Sequence, residues 1–163
     1  MFTMIRTKME CIFCNQIILK KETFYEDSHF IAVYNIRPVV KGHCLVIPKR
    51  HVLELGELNA EERKDFLTFS NKAVFLALEY SGVRDFDFLL QKGENAGQSI
   101  KHLHFHIIPR KKNDGLNTAK KEFLGSFHER ETTTSQLTEV ELVKIIKELK
   151  EIIVKHKLQI NGL

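Results

Sequence analysis

A mixed domain of strands and helices, with one long helix packed on a sheet, is predicted by three observations along the 163 residues. Short runs rich in β-branched and aromatic residues recur between turn signals, as strands do. One capped stretch carries apolar residues at helical spacing. The string His102-Leu103-His104-Phe105-His106 alternates imidazole and apolar side chains strictly, which is the period of a strand.

Residues 29–35, His-Phe-Ile-Ala-Val-Tyr-Asn, and 43–48, His-Cys-Leu-Val-Ile-Pro, read as neighbouring strands joined by a short loop holding Pro38, Lys41 and Gly42. Asn59, with Glu62 three residues on, signals a helix start, and Phe66, Phe69, Ala73, Ala77 and Tyr80 follow at helical spacing up to Gly82. Residues 85–91 alternate and then run apolar, a third strand feeding the polar loop 92–98. Residues 103–109 form the next strand, ended by Pro109. Beyond Arg110 the chain is polar and lysine-rich until Thr138. There Thr-Glu-Val-Glu forms a capping box ahead of Leu142, Ile145, Ile146, Leu149, Ile152 and Ile153. The organisation expected is a domain over 1–112, a polar connecting segment over 113–137 and an amphipathic helix over 138–157. That helix must bury its stripe on the domain or on a second copy.

Apolar residues at 43% and charged residues at 28% are ordinary for a soluble chain, which argues against disorder or a fibrous repeat. The net charge of +4 is spread out, apart from Lys49-Arg50 and Arg110-Lys111-Lys112. That suits an anionic small ligand better than a nucleic-acid groove. No apolar run approaches the roughly 20 residues of a membrane span. The start, Met1-Phe2-Thr3-Met4-Ile5-Arg6, lacks a signal-peptide core and cleavage site. A cytoplasmic protein with neither nucleic acid nor membrane as partner is expected, and the charged outer face around Lys144 and Glu148 disfavours a membrane-lying helix.

On a strand, His102, His104 and His106 share one face while Leu103, Phe105 and Ile107 share the other. Successive imidazoles then start roughly 6.5–7 Å apart, close enough to address neighbouring atoms of one extended ligand. A single such histidine is most simply a half-buried polar residue; three in strict alternation point to chemistry. One form of that chemistry is a neutral nucleophilic ring beside a hydrogen-bond donor. The other is a pair of zinc ligands i, i+2 with an open position, which would need a third ligand. Cys11 and Cys14 have the spacing of half a tetrahedral metal site, with a redox pair or two buried thiols as alternatives, and Cys44 is most simply core.

The string His-Leu-His-Phe-His-Ile-Ile fits the signature of the histidine triad family, and the resemblance runs from about Cys11 to Arg110. Supporting it in order are Asn35 with Pro38-Val39-Val40-Lys41-Gly42-His43, then Val46-Ile47-Pro48-Lys49-Arg50-His51, then residues 91–99 from Gln91 to Ser99. These strings look most like the fragile-histidine-triad branch, whose members hydrolyse dinucleoside polyphosphates. The resemblance implies an α+β fold with an antiparallel sheet, commonly doubled in a homodimer, and nucleotidyl transfer through a covalent intermediate.

Carried over by motif position, His104 would attack the α-phosphorus and His106 would hydrogen-bond the phosphate near the leaving group. Gln98 and Ser99 would hold the leaving group or phosphate oxygens, Gln91 the α-phosphate, and Asn35 the ribose hydroxyls. Ordinary loop hydrogen bonding stands beside these roles for Gln91 and Ser99, and a turn role for Asn35. Resemblance to bacterial members implies a structural zinc held by Cys11, Cys14, His51 and His102, and magnesium is expected with the polyphosphate. Hydrolysis of nucleoside phosphoramidates, a phosphorylase reaction and a purely nucleotide-binding regulatory role are the competing functions.

Overall fold

The computed structural model describes residues 11–116 and 134–163. Among them are five strands: β1 (Thr23–Glu26), β2 (Phe30–Tyr34), β3 (Cys44–Pro48), β4 (Asp85–Leu90) and β5 (Phe105–Arg110). They form one antiparallel sheet in the order β1-β2-β3-β5-β4, an α+β arrangement. Four helices accompany them in the described residues: α1 (Gln16–Glu22), α2 (Ala60–Ser81), α3 (Glu139–Lys155) and the short α4 (Lys157–Asn161).

The pleat divides the sheet into two faces. Phe30, Ala32 and Tyr34 of β2, Cys44 and Val46 of β3, and Phe105 and Ile107 of β5 join one buried cluster with Phe69, Ala73, Leu76 and Ala77 of α2. The alternate residues Ile31, Val33, Leu45 and Ile47 pack on the other side with Phe13 and Leu19 of the N-terminal segment. This N-terminal cover is absent from the sequence reading. Asn15 caps α1 through its Oδ1, which accepts the amides of Ile17 and Ile18 at 3.1 and 3.3 Å. At seven and four residues, α1 and β1 are too short for a clear periodic signal.

Helix α2 begins and ends on local chemistry. Asn59 and Glu62 form a reciprocal capping box, and Gly82 closes the helix in the left-handed conformation at φ 75°. Helix α3 starts on the Thr138–Glu141 box and packs against α2, β1 and α1. Its Leu142, Ile146 and Leu149 are buried in the main cluster, and burial of each stabilises by roughly 1.5–3 kcal/mol. The stripe therefore lies on this chain's own domain. Most of the connecting segment read over 113–137 lies outside the described residues. Among the described residues no helix is long and apolar enough to cross a membrane.

The turn between β2 and β3 depends on Gly42. Its φ is +89°, and a Cβ there would lie 2.9 Å from Pro109 Cγ and 3.1 Å from the Ala77 carbonyl oxygen. Its N–H donates to Tyr34 Oη at 3.0 Å. Gly42→Ala is therefore expected to destabilise the protein by roughly 2–4 kcal/mol, combining backbone strain with overpacking. Urea unfolding at equilibrium measures this; a loss below about 0.5 kcal/mol would contradict the close approach.

Candidate active site and metal centre

The sequence placed His102 and His104 on a strand, but the β5 ladder begins at Phe105, and both histidines precede it, His102 in a bend with its N–H donating to the Ile100 carbonyl at 2.8 Å. Alternation persists nonetheless. Leu103, Phe105 and Ile107 all enter the α2-side cluster, while the imidazoles face the opposite side of the sheet. They are also more enclosed than a ledge implies: His102, His104 and His106 are 0%, 5% and 2% exposed. The N-terminal segment supplies the cover, with the Phe13 ring edge-on to His104 at 5.2 Å between centroids.

Burial makes every imidazole nitrogen matter, because an unpartnered polar group away from water is costly. His104 Nδ1 lies 2.7 Å from the carbonyl oxygen of His102. A carbonyl only accepts, so the proton sits on Nδ1 and the lone pair is left on Nε2. Burial lowers the pKa of His104, with that carbonyl opposing, which favours the neutral ring.

A second chain of bonds orients His106. Val39 N–H donates to His43 Nδ1 at 3.3 Å, so His43 carries its proton on Nε2 and gives it to His106 Nδ1 at 2.9 Å. His106 then bears its own N–H on Nε2 and is a donor. Burial first, then the neighbouring ring, pushes His43 down to about 3 and His106 well below the ordinary imidazole range. Both rings are neutral at pH 7. His43 had no assigned role in the sequence reading; its only sequence signal is its place after Gly42 in the turn motif.

His102 is turned elsewhere. Its Nε2–H donates to the Pro48 carbonyl at 2.9 Å, and its Nδ1 lies 3.4 and 3.7 Å from the sulfurs of Cys11 and Cys14. His51 Nδ1 is 3.2 Å from the Cys14 sulfur. The donor atoms of Cys11, Cys14, His51 and His102 all lie within 4.8 Å of one another. Metal–sulfur bonds of about 2.3 Å and metal–nitrogen bonds of about 2.0–2.1 Å in a tetrahedron leave ligand atoms roughly 3.3–3.8 Å apart. The set therefore fits a tetrahedral ion such as zinc. Burial pushes His102 down to about 4, so the ring is neutral as a ligand must be.

The loop carrying His51 is pinned by Arg50. Its Nε and Nη2 donate to the two carboxylate oxygens of Glu62 at 2.9 and 2.7 Å, which ties the ligand loop to the cap of α2. Leu103 N–H donates to the Val52 carbonyl at 2.7 Å and fixes the other side.

His104 and His106 line a cavity of about 400 Å³ with Asn35, Ser99 and Gly97. Asn35 is held by its Oδ1, which accepts the Arg37 amide at 2.9 Å. Gln98 lines a different, outer hollow. Its Oε1 accepts the Gly93 amide at 2.8 Å and its Nε2 donates to the Ile100 carbonyl at 3.0 Å, stapling the loop on itself. Gln91 is buried just beyond β4 and is not among the residues lining the histidine cavity.

Comparison with known proteins agrees with this geometry. The HIT domain family model matches residues 18–113. An uncharacterised HIT-like protein of Methanocaldococcus jannaschii is 38% identical over 107 residues, 64% of this chain and 82% of that one. The bis(5'-adenosyl)-triphosphatase of Dictyostelium discoideum is 38% identical over 101 residues, 62% of this chain and 68% of that one. The crystal structure of a zinc-bound histidine triad family protein from Mycobacterium smegmatis superposes with a TM-score of 0.65 at 23% identity, covering 91% of this chain and 99% of that one.

The four-donor cluster makes metal content and stability a single measurement. Cys14→Ser is expected to remove bound zinc and to lower the melting temperature by at least roughly 5 °C, while His104→Ala keeps its zinc. Elemental analysis beside a thermal melt checks both. Metal-free wild-type protein of undiminished stability would refute the metal centre.

Proposed function

Because the chain belongs to the HIT domain family, matched over residues 18–113, we propose that it is a nucleotide hydrolase acting at the α-phosphorus of dinucleoside polyphosphates or related adenylylated compounds. The observation that carries this reading is the bond from His104 Nδ1 to the His102 carbonyl, which leaves the Nε2 lone pair available beside the cavity. The likeness to the Dictyostelium bis(5'-adenosyl)-triphosphatase supports the substrate class. The cavity volume suits one nucleoside monophosphate moiety.

In the first step His104 Nε2 attacks the α-phosphorus in line. The N–P bond forms as the P–O bond to the leaving phosphate breaks, and the electron pair leaves with that oxygen. The N–H of His106, aimed by His43, donates to the phosphate oxygens where charge builds up. In the second step water attacks the nucleotidyl phosphorus and loses a proton, the N–P bond breaks, and the pair returns to Nε2. Splitting one displacement into two lets a single positioned imidazole serve both. Ser99 holds phosphate oxygens, Asn35 meets the ribose, and Gln98 keeps the loop in shape, whereas Gln91, buried just beyond β4 and outside the cavity lining, takes no phosphate contact in this reading. Zinc on Cys11, Cys14, His51 and His102 is structural, anchoring the N-terminal cover to the start of the catalytic segment. Magnesium travels with the polyphosphate.

The edge strand β4 supports the homodimer. Its Phe86 and Phe88 are 44% and 37% exposed, and among the described residues β5 is its one partner in the sheet, so the outer edge suits a second copy. Sedimentation should give twice the mass of the 19.0 kDa chain, and Phe88→Lys should lower it. A wild-type monomer at micromolar concentration would oppose this.

Turnover decides the functional reading. A panel of diadenosine polyphosphates, an aminoacyl adenylate and an adenosine phosphoramidate is assayed with and without inorganic phosphate. His104→Ala should lose at least roughly 10³-fold in kcat against the best substrate. Acid-quenched wild type should carry a nucleotidyl group on His104. Tight nucleotide binding with no turnover of any member would favour the regulatory role, and products that require phosphate would identify a phosphorylase.

A further inference from the structure

Glu22 ends α1 and lines the same cavity as Asn35, Ser99, His104 and His106. Much of the remaining lining is apolar, including Ile12, Leu45 and Ile100. A carboxyl in that setting is unusual. It stands at the C-terminal end of a helix, where the backbone carbonyls repel negative charge. Among the described residues it has neither an ion pair nor a hydrogen bond. Burial raises its pKa to about 7. The phosphate chemistry makes no use of it, since an anion is of no help to a polyphosphate. What such a group can offer a ligand is hydrogen-bond acceptors, and it keeps at least one acceptor oxygen in either protonation state.

Resting on the reading of this cavity as a nucleotide site, we propose that Glu22 is the specificity-determining residue for the base, accepting hydrogen bonds from the amino group of an aminopurine. The phosphates lie at the histidines, and the apolar walls take the flat base. Glu22 is the acidic side chain of that lining. A purine bearing an exocyclic amine satisfies the carboxyl, whereas one without it leaves the carboxyl desolvated and unmatched. A site built to hydrogen-bond an N–H discriminates strongly against an analogue lacking it.

Two pairs of nucleoside monophosphates test this, each differing by one amino group: GMP against IMP, and AMP against purine riboside monophosphate. Binding is measured calorimetrically at pH 8, with the carboxylate prevailing. In wild type, the amino-bearing member of at least one pair should bind about 10-fold tighter or better, the worth of a hydrogen bond to a charged group. Glu22→Leu should erase that preference, and Glu22→Gln, which keeps a carbonyl acceptor, should retain part of it. Circular dichroism of both variants checks folding. Equal binding within both pairs, or a preference that survives in Glu22→Leu, overturns the assignment and leaves the hydrolase reading standing. Preference without turnover defeats the hydrolase reading alone, and failure of all four nucleotides to bind defeats both.

Discussion

Four imidazoles removed from water set the terms for the rest of this molecule. His43, His102, His104 and His106 are each at most 5% exposed, and burial favours the neutral ring and makes the partner of each ring nitrogen decisive. The acceptors are the carbonyl of Pro48 for His102, the carbonyl of His102 for His104, and His106 for His43. Each choice dictates where the other nitrogen's lone pair or proton goes. Thus His102 turns a lone pair to the thiols, His104 keeps a lone pair on Nε2, and His106 keeps a donor. Three identical side chains acquire three jobs from the partners of their other nitrogens.

The scaffold holds those partners in place. A pleated sheet sends Phe105 and Ile107 into the α2 cluster and leaves the imidazoles on the opposite side, so the same short segment anchors the core and brings His104 and His106 to the cavity. The opposite side is closed by Phe13 and Leu19, and it is the Cys11–Cys14 turn that brings them there. The four-donor cluster and the enclosure of His104 are consequently coupled through a few residues. Arg50 extends this, since its fork on Glu62 makes the helix cap part of the support for His51.

Several parts of this were legible from local patterns. The capping boxes at Asn59 and Thr138 and the stop at Gly82 are chemistry among near neighbours, and they appear where the residue spacing puts them. The alternation from His102 to His106 also survives, although the ladder starts only at Phe105. Less legible were α1 and β1, which are short and lack a periodic stripe. His43 carries no pattern of its own. Its importance arises from lying opposite His106 across neighbouring strands, 63 positions apart in the chain.

The sequence by itself determined the class of fold, the face on which the imidazoles lie, both ends of α2, the start of α3 and the donor types available for a metal. These follow from backbone period and from hydrogen bonds spanning three or four residues. Tertiary structure alone decided which nitrogen of each histidine bears the proton and that Gln98 braces its loop instead of facing the cavity, and it brought together Cys11, Cys14, His51 and His102, a set that family resemblance, not spacing, had implied. It also decided that the α3 stripe lies on its own domain. Those outcomes depend on distances between segments tens of residues apart, and no local rule of spacing encodes them.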